Sequence, residues 1–133
     1  MTDSQHDPGS HDASRPYEKL VLVCTHGKSC PRQGGAEICS GLRERIFQAG
    51  EKNRIRVVKS GCLAQCGHGP IVAVEPEGTW FSSVEEAHCG DLADWILNNG
   101  PLPEALIFDP PDRGKNILSE ADWQIPPNSS EDA

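Results

Sequence analysis

The stretch "SGCLAQCGHGPIVAVEPEGTWFSSV", residues 60–84, sets two cysteines among glycines and then runs into a hairpin pattern. "PIVAVEP", 70–76, and "GTWFSS", 78–83, read as two short strands that turn near Pro76-Glu77-Gly78. Upstream, "RIRVVKS", 54–60, alternates and reads as a strand that feeds the Cys62 loop. Further back, "KLVLVCT", 19–25, is a short Val/Leu-rich run of the kind found in buried strands, and it ends at Cys24. The loop "HGKSCPRQGG" follows, punctuated by Gly27, Pro31, Gly34 and Gly35.

Two helices fill the remaining space. In "GAEICSGLRERIFQA", 35–49, Ile38, Leu42 and Ile46 fall on one side at helical spacing, with Cys39 and Ala49 flanking them. Gly41 weakens that helix locally and Gly50 stops it. "VEEAHCGDLADWILNN", 84–99, carries Val84, His88, Leu92, Trp95 and Ile96 at helical intervals. Ser83 with Glu86 forms a candidate capping box for it, and Gly100-Pro101 closes it. The order strand, helix, strand, strand, strand, helix predicts an α/β fold, a small mixed sheet with helices packed on it. The crossover followed by a hairpin and a helix suggests a thioredoxin-like core.

The chain of 133 residues is long enough for one domain with a real core. Residues 1–16 are polar and acidic and predict a disordered leader, in which His6 and His11 are solvated. The domain is expected over 17–108. Residues 109–133, rich in Pro and acids, predict a loosely ordered tail that Ile117, Leu118, Trp123 and Ile125 could anchor in part. No apolar run reaches the length of a membrane span, and the start lacks the basic-then-apolar pattern of an export signal, so the expected location is cytoplasmic. Twenty acidic residues against twelve basic ones give a net charge of −8, which does not suit a phosphate backbone. It fits docking onto basic protein surfaces.

Six cysteines, at 24, 30, 39, 62, 66 and 89, are many for a chain without an export signal. In a reducing compartment such clusters bind metal or do thiol chemistry. Cys24 and Cys30 have five residues between them, Cys62 and Cys66 three, and each pair follows a predicted strand. If the two strands are neighbours, their same-end loops bring four thiols together. Four thiolates repel one another, and a bound cation removes that cost. Sulfur-only donors suit zinc or an iron–sulfur centre. In a [2Fe-2S] cluster, backbone N–H groups would stabilise the charge added on reduction. Gly34, Gly35, Gly61, Gly67 and Gly69 permit close backbone approach, though turn-making explains them equally well. The Cys62–Cys66 spacing is not the C-x-x-C of disulfide exchange. The first pair is wide for a zinc knuckle, and neither common ferredoxin spacing matches. Spacing alone therefore predicts a four-thiolate metal site and leaves the metal open. There is no GxGxxG, P-loop or supported carboxylate pair, and Asp91 and Asp94 read as a solvated helix face, so an enzyme is not expected.

"LVLVCTHGKSCPRQGG" followed by "SGCLAQCGHGPIVAVEPEGTWFSSV" resembles the thioredoxin-like [2Fe-2S] ferredoxin family, over about residues 18–108 and including "LADWILNNGPLPEALIF". A cluster-bearing domain of NADH dehydrogenases has a similar arrangement. The resemblance implies a one-electron carrier with a single [2Fe-2S] cluster on Cys24, Cys30, Cys62 and Cys66, serving redox protein partners, in a homodimer. An iron–sulfur sensor or structural protein without electron turnover, or a structural zinc module, are the alternatives. Spacing between the first two ligands varies in the family, so Cys39 is the rival for Cys30. Cys39 and Cys89 instead read as small apolar residues against the sheet. His26 and His68 lie beside the ligand loops and fit roles around the cluster rather than ligation. Trp80 fits either a dimer interface or the core.

Overall fold

The computed structural model describes residues 16–26, 30–110 and 113–123. His6 and His11, the loop residues Gly27, Lys28 and Ser29, and Ile125 lie outside them.

Strands β1 (Lys19–Cys24), β2 (Ile55–Ser60), β3 (Val72–Glu75) and β4 (Thr79–Phe81) form one sheet in the order β2-β1-β3-β4. Helix α1 (Gly35–Gln48) returns the chain between β1 and β2, so those two strands run parallel, as a crossover requires. The other two pairings are antiparallel. The β1/β2 register runs from Lys19↔Ile55 to Cys24↔Ser60, so both strands finish on the same rung. Their following loops therefore leave from one end of the sheet.

Strand alternation divides the side chains. Val21, Val23, Val57, Val72, Val74 and Phe81 are buried in the core together with Ile38, Leu42 and Ile46 of α1. Leu92, Ala93 and Ile96 of α2 (Cys89–Ile96) complete that core. α1 packs on β1 and β2 and against α2, giving a two-layer α/β arrangement. On the other face Val58, Leu22, Ala73 and Trp80 stand side by side across all four strands, and all but Ala73 are half-buried. α1 ends with Gly50 donating to Phe47 O and Glu51 to Ile46 O, the paired hydrogen bonds of a glycine-closed helix.

Leu42 has no exposed surface and sits at the centre of the α1 face. Leu42→Ala is expected to lower stability by about 3 kcal/mol, within the range for buried leucines, read as a lower denaturant midpoint.

The second helix starts differently from its predicted form. Glu86–His88 is a single 3₁₀ turn, and α2 begins only at Cys89. The cap is Glu85, not Ser83: Glu85 N–H donates to His88 Nδ1 at 3.0 Å, and the Glu85 side chain accepts from the His88 amide. Ser83 has φ 53, and its amide is held by His68 O at 2.9 Å, so it is tied to the loop ahead of β3 and cannot cap. Beyond α2, Ser82 donates to Leu106 O and Phe108 to Trp80 O, which seats residues 106–108 along β4. Among the described residues no helix is long and apolar enough to cross a membrane.

Candidate metal centre

Cys24 is the last residue of β1, an inner strand of the sheet, and its amide donates to Ile71 O at 3.0 Å. Cys30 sits in the turn that opens α1, where its carbonyl accepts from Gln33 and Gly35. Both are buried at 3% exposure. Cys62 and Cys66 lie on the loop after β2; Cys62 is exposed and Cys66 half-buried. All four line one cleft, with His26 and Ile71 in its wall. The parallel register of β1 and β2 is what brings the two loops there. All six cysteines are free thiols.

The inner pair is asymmetric. Hydrogen bonding from the Cys30 side chain lowers Cys24 to about 7 against the opposing effect of burial, with help from the Leu63 backbone. Cys30 is pushed far up by holding that shared proton and by burial, which the Ile71 backbone only partly offsets. A thiolate is thus available at neutral pH inside the cleft. Burial pushes Cys39 and Cys89 up, and both lie in the main core, where they pack as small apolar residues.

The donor set suits a sulfur-ligated group. Cys62 Sγ and Cys66 Sγ are 3.7 Å apart, close to the roughly 3.8 Å that two sulfurs on one tetrahedral ion with bonds of about 2.3 Å require. The Ala64 amide donates to Cys62 Sγ at 3.3 Å, so a backbone dipole already points at one sulfur. Among the described residues no three Cys, His, Asp or Glu side chains form a ready single-ion site. The four thiols line one cleft as two pairs, the donor number of a two-iron group.

His26 spans the two loops: Nδ1 lies 2.8 Å from Thr25 Oγ1 and 3.3 Å from Ser60 O. The His68 ring is 5.0 Å from that of Phe108. Trp80 packs, half-buried, on the small apolar cluster of Cys24, Cys30 and Ile71. Of the five glycines around the cysteines, a β-carbon on Gly35, Gly67 or Gly69 would come within 3 Å of another part of the chain, whereas Gly61 borders open space.

Sequence reading passed over Gln33. It is 2% exposed, and its Nε2 donates to Gly67 O at 3.1 Å, joining the Cys30 turn to the Cys66 loop. The signal was present as a polar residue between Cys-Pro and Gly-Gly, but nothing local says that it points inward. The sequence offers Leu118 and Trp123 as anchors of the tail but not where they attach: Asn116 donates to Ala64 O at 3.2 Å and Leu118 to Cys66 O at 2.9 Å.

No protein-family model matches the chain. A protein of Priestia megaterium named as a 2Fe-2S ferredoxin is 28% identical over 95 residues, covering 71% of this chain and 73% of its own. A 2Fe-2S ferredoxin of Clostridium pasteurianum is 28% identical over 93 residues, covering 65% of this chain and 91% of that protein. Among solved structures, the wild-type thioredoxin-like [2Fe-2S] ferredoxin of Aquifex aeolicus superposes with TM-score 0.64 at 24% identity, over 71% of this chain and 99% of that one. A second structure of a thioredoxin-like [2Fe-2S] ferredoxin from that organism gives TM-score 0.61 at 26% identity, over 70% and 92%.

Proposed function

Because the chain belongs with the thioredoxin-like [2Fe-2S] ferredoxins in sequence and in fold, we propose that it is a one-electron carrier whose Cys24, Cys30, Cys62 and Cys66 hold a single [2Fe-2S] cluster. The observation that supports this most is the meeting of those four thiols, from two loops far apart in sequence, in one cleft. When bound, such a cluster supplies a one-electron couple. The chain's own part is to hold, polarise and shield. Cys24 and Cys30 anchor the site to the sheet and keep water from its inner side. Cys62 and Cys66 face outward, where a partner can approach. The Ala64 amide at Cys62 and the backbone at Leu63 and Ile71 direct positive dipole ends at sulfur, which favours the more negative, reduced state. No bond-making chemistry is asked of the protein.

The same reading places the protein in the cytoplasm, as a homodimer, and gives it redox partners with basic docking faces. The net charge of −8 supports that docking through electrostatic steering, so association with a partner should slow as salt is raised. Sedimentation of the full chain tests the dimer.

The deciding experiment is an iron and sulfide determination on freshly purified protein, with a visible spectrum and a redox titration. Equal iron and sulfide, visible absorbance, and reversible uptake of one electron without metal loss are expected. A colourless zinc protein would overturn the reading. Iron lost on the first reduction would point to a sensing or structural role instead.

A further inference from the structure

We propose that residues 113–123 form a strap that docks on the Cys62–Cys66 loop and steadies the outer pair of ligands. The docking stands on contacts of this chain; its effect on a cluster rests on the electron-carrier reading. Asn116 and Leu118 donate to Ala64 O and Cys66 O, a step of two residues on both sides. These two backbone hydrogen bonds run in the same direction along both segments and lay the strap beside the loop. Side chains fix the register. Gln65 Nε2 donates to Gly114 O at 2.7 Å, and Asn116 Nδ2 donates to Gln65 Oε1 at 3.0 Å.

The apolar anchor lies two residues further along. Gly67 has φ +96, and a β-carbon built on it would fall 2.6 Å from Leu118 Cβ and 2.8 Å from Trp123 Cδ1. Those two side chains therefore occupy the space that the missing β-carbon leaves over the loop. Trp123 Nε1 donates to Leu118 O at 3.2 Å, which satisfies the indole N–H as it packs. Arg32, two residues from Cys30, pairs with Glu120 at 2.6 Å and lies 5.5 Å from the centre of the Trp123 ring. The strap thus touches both cysteine loops. Glu120 is 68% exposed, so its ion pair contributes little, and the Leu118/Trp123 contact carries the docking.

The test uses the freshly purified full-length protein and two variants, Trp123→Ala and Arg32→Gln. Hydrogen–deuterium exchange is read at the amides of 116 and 118, with β1 amides as a folding control. The rate at which a chelator bleaches visible absorbance is read in parallel. In the unaltered protein the 116 and 118 amides should be protected. Trp123→Ala should speed their exchange roughly tenfold and leave β1 unchanged. Bleaching should accelerate with it, while Arg32→Gln should change either rate by less than about twofold. Unprotected 116 and 118 amides in the unaltered protein would overturn the docking. Faster exchange with unchanged bleaching would overturn the steadying of the outer ligands. If the protein holds no iron, the carrier reading fails and the exchange data still decide whether the strap is docked.

Discussion

Serine at Cys24, Cys30, Cys62 or Cys66 is expected to remove most of the visible spectrum of the purified protein, and serine at Cys39 to leave it nearly intact. The hydroxyl of serine is a harder and far less acidic donor than a thiol, and iron–sulfur centres select soft thiolates. The four variants should differ in their cost to the fold. Cys62 and Cys66 sit on a loop with outward surface, so the exchange itself should cost the fold little, and any fall in melting should be that of losing the bound group. Cys24 and Cys30 are buried, and a hydroxyl there adds a desolvation penalty of roughly 1–3 kcal/mol where it finds no partner. Cys39 has no exposed surface and lies in the main core, so Cys39→Ser should lower stability by a similar amount, about 1–3 kcal/mol, with the colour retained. Stability and colour therefore separate the roles. Loss of colour in Cys39→Ser together with retention in Cys30→Ser would reassign the second ligand.

Gly35→Ala is expected to be the most damaging single methyl addition near the site. In an ordinary helix, alanine in place of glycine gains up to about 1 kcal/mol. Here the new β-carbon would lie 2.2 Å from the Cys24 carbonyl oxygen and 3.2 Å from that of Cys30. Both obstacles are backbone, so no rotamer change relieves the overlap. α1 would have to move off the end of β1, breaking the Gly35 N–H to Cys30 O bond of 2.9 Å. The net effect should be a loss of about 3 kcal/mol or more, with weakened cluster retention, since the clash falls between the two inner cysteines. Gly61→Ala is the control: nothing lies within 4 Å of its β-carbon, and its denaturant midpoint should barely move. An unchanged midpoint in Gly35→Ala would mean that the helix start yields freely.

The α/β order was legible because periodicity is a local property, and the crossover order implied the parallel β1/β2 pair; convergence of the two cysteine loops followed only on the condition that those strands are neighbours. Ile38, Leu42 and Ile46 repeat at helical spacing, and all three are buried. The start of α2 was misread because Ser83 is a good cap in isolation. The hydrogen bond from its N–H to His68 O is a long-range contact that leaves no local trace, and Glu85 takes the cap role with His88 as its partner. Gln33 escaped for the same reason: a glutamine in a loop looks solvated until a second loop closes over it. Composition pointed to a loose tail after residue 108. Leu118 and Trp123 stand out there as apolar anchors, but their partner, Gly67, lies across a sequence gap that no pattern in the tail encodes.

Burial of Cys24 and Cys30 beside the exposure of Cys62 makes chemical wear one-sided. Peroxide or an alkylating agent arriving from solvent meets the outer thiols first, while the inner two stay shielded by the sheet. Where that wear stops at a disulfide or a sulfenic acid, the strand-end foundation is kept and reduction of the outer pair restores the ligands, whereas an alkylated or further oxidised thiol is not recovered.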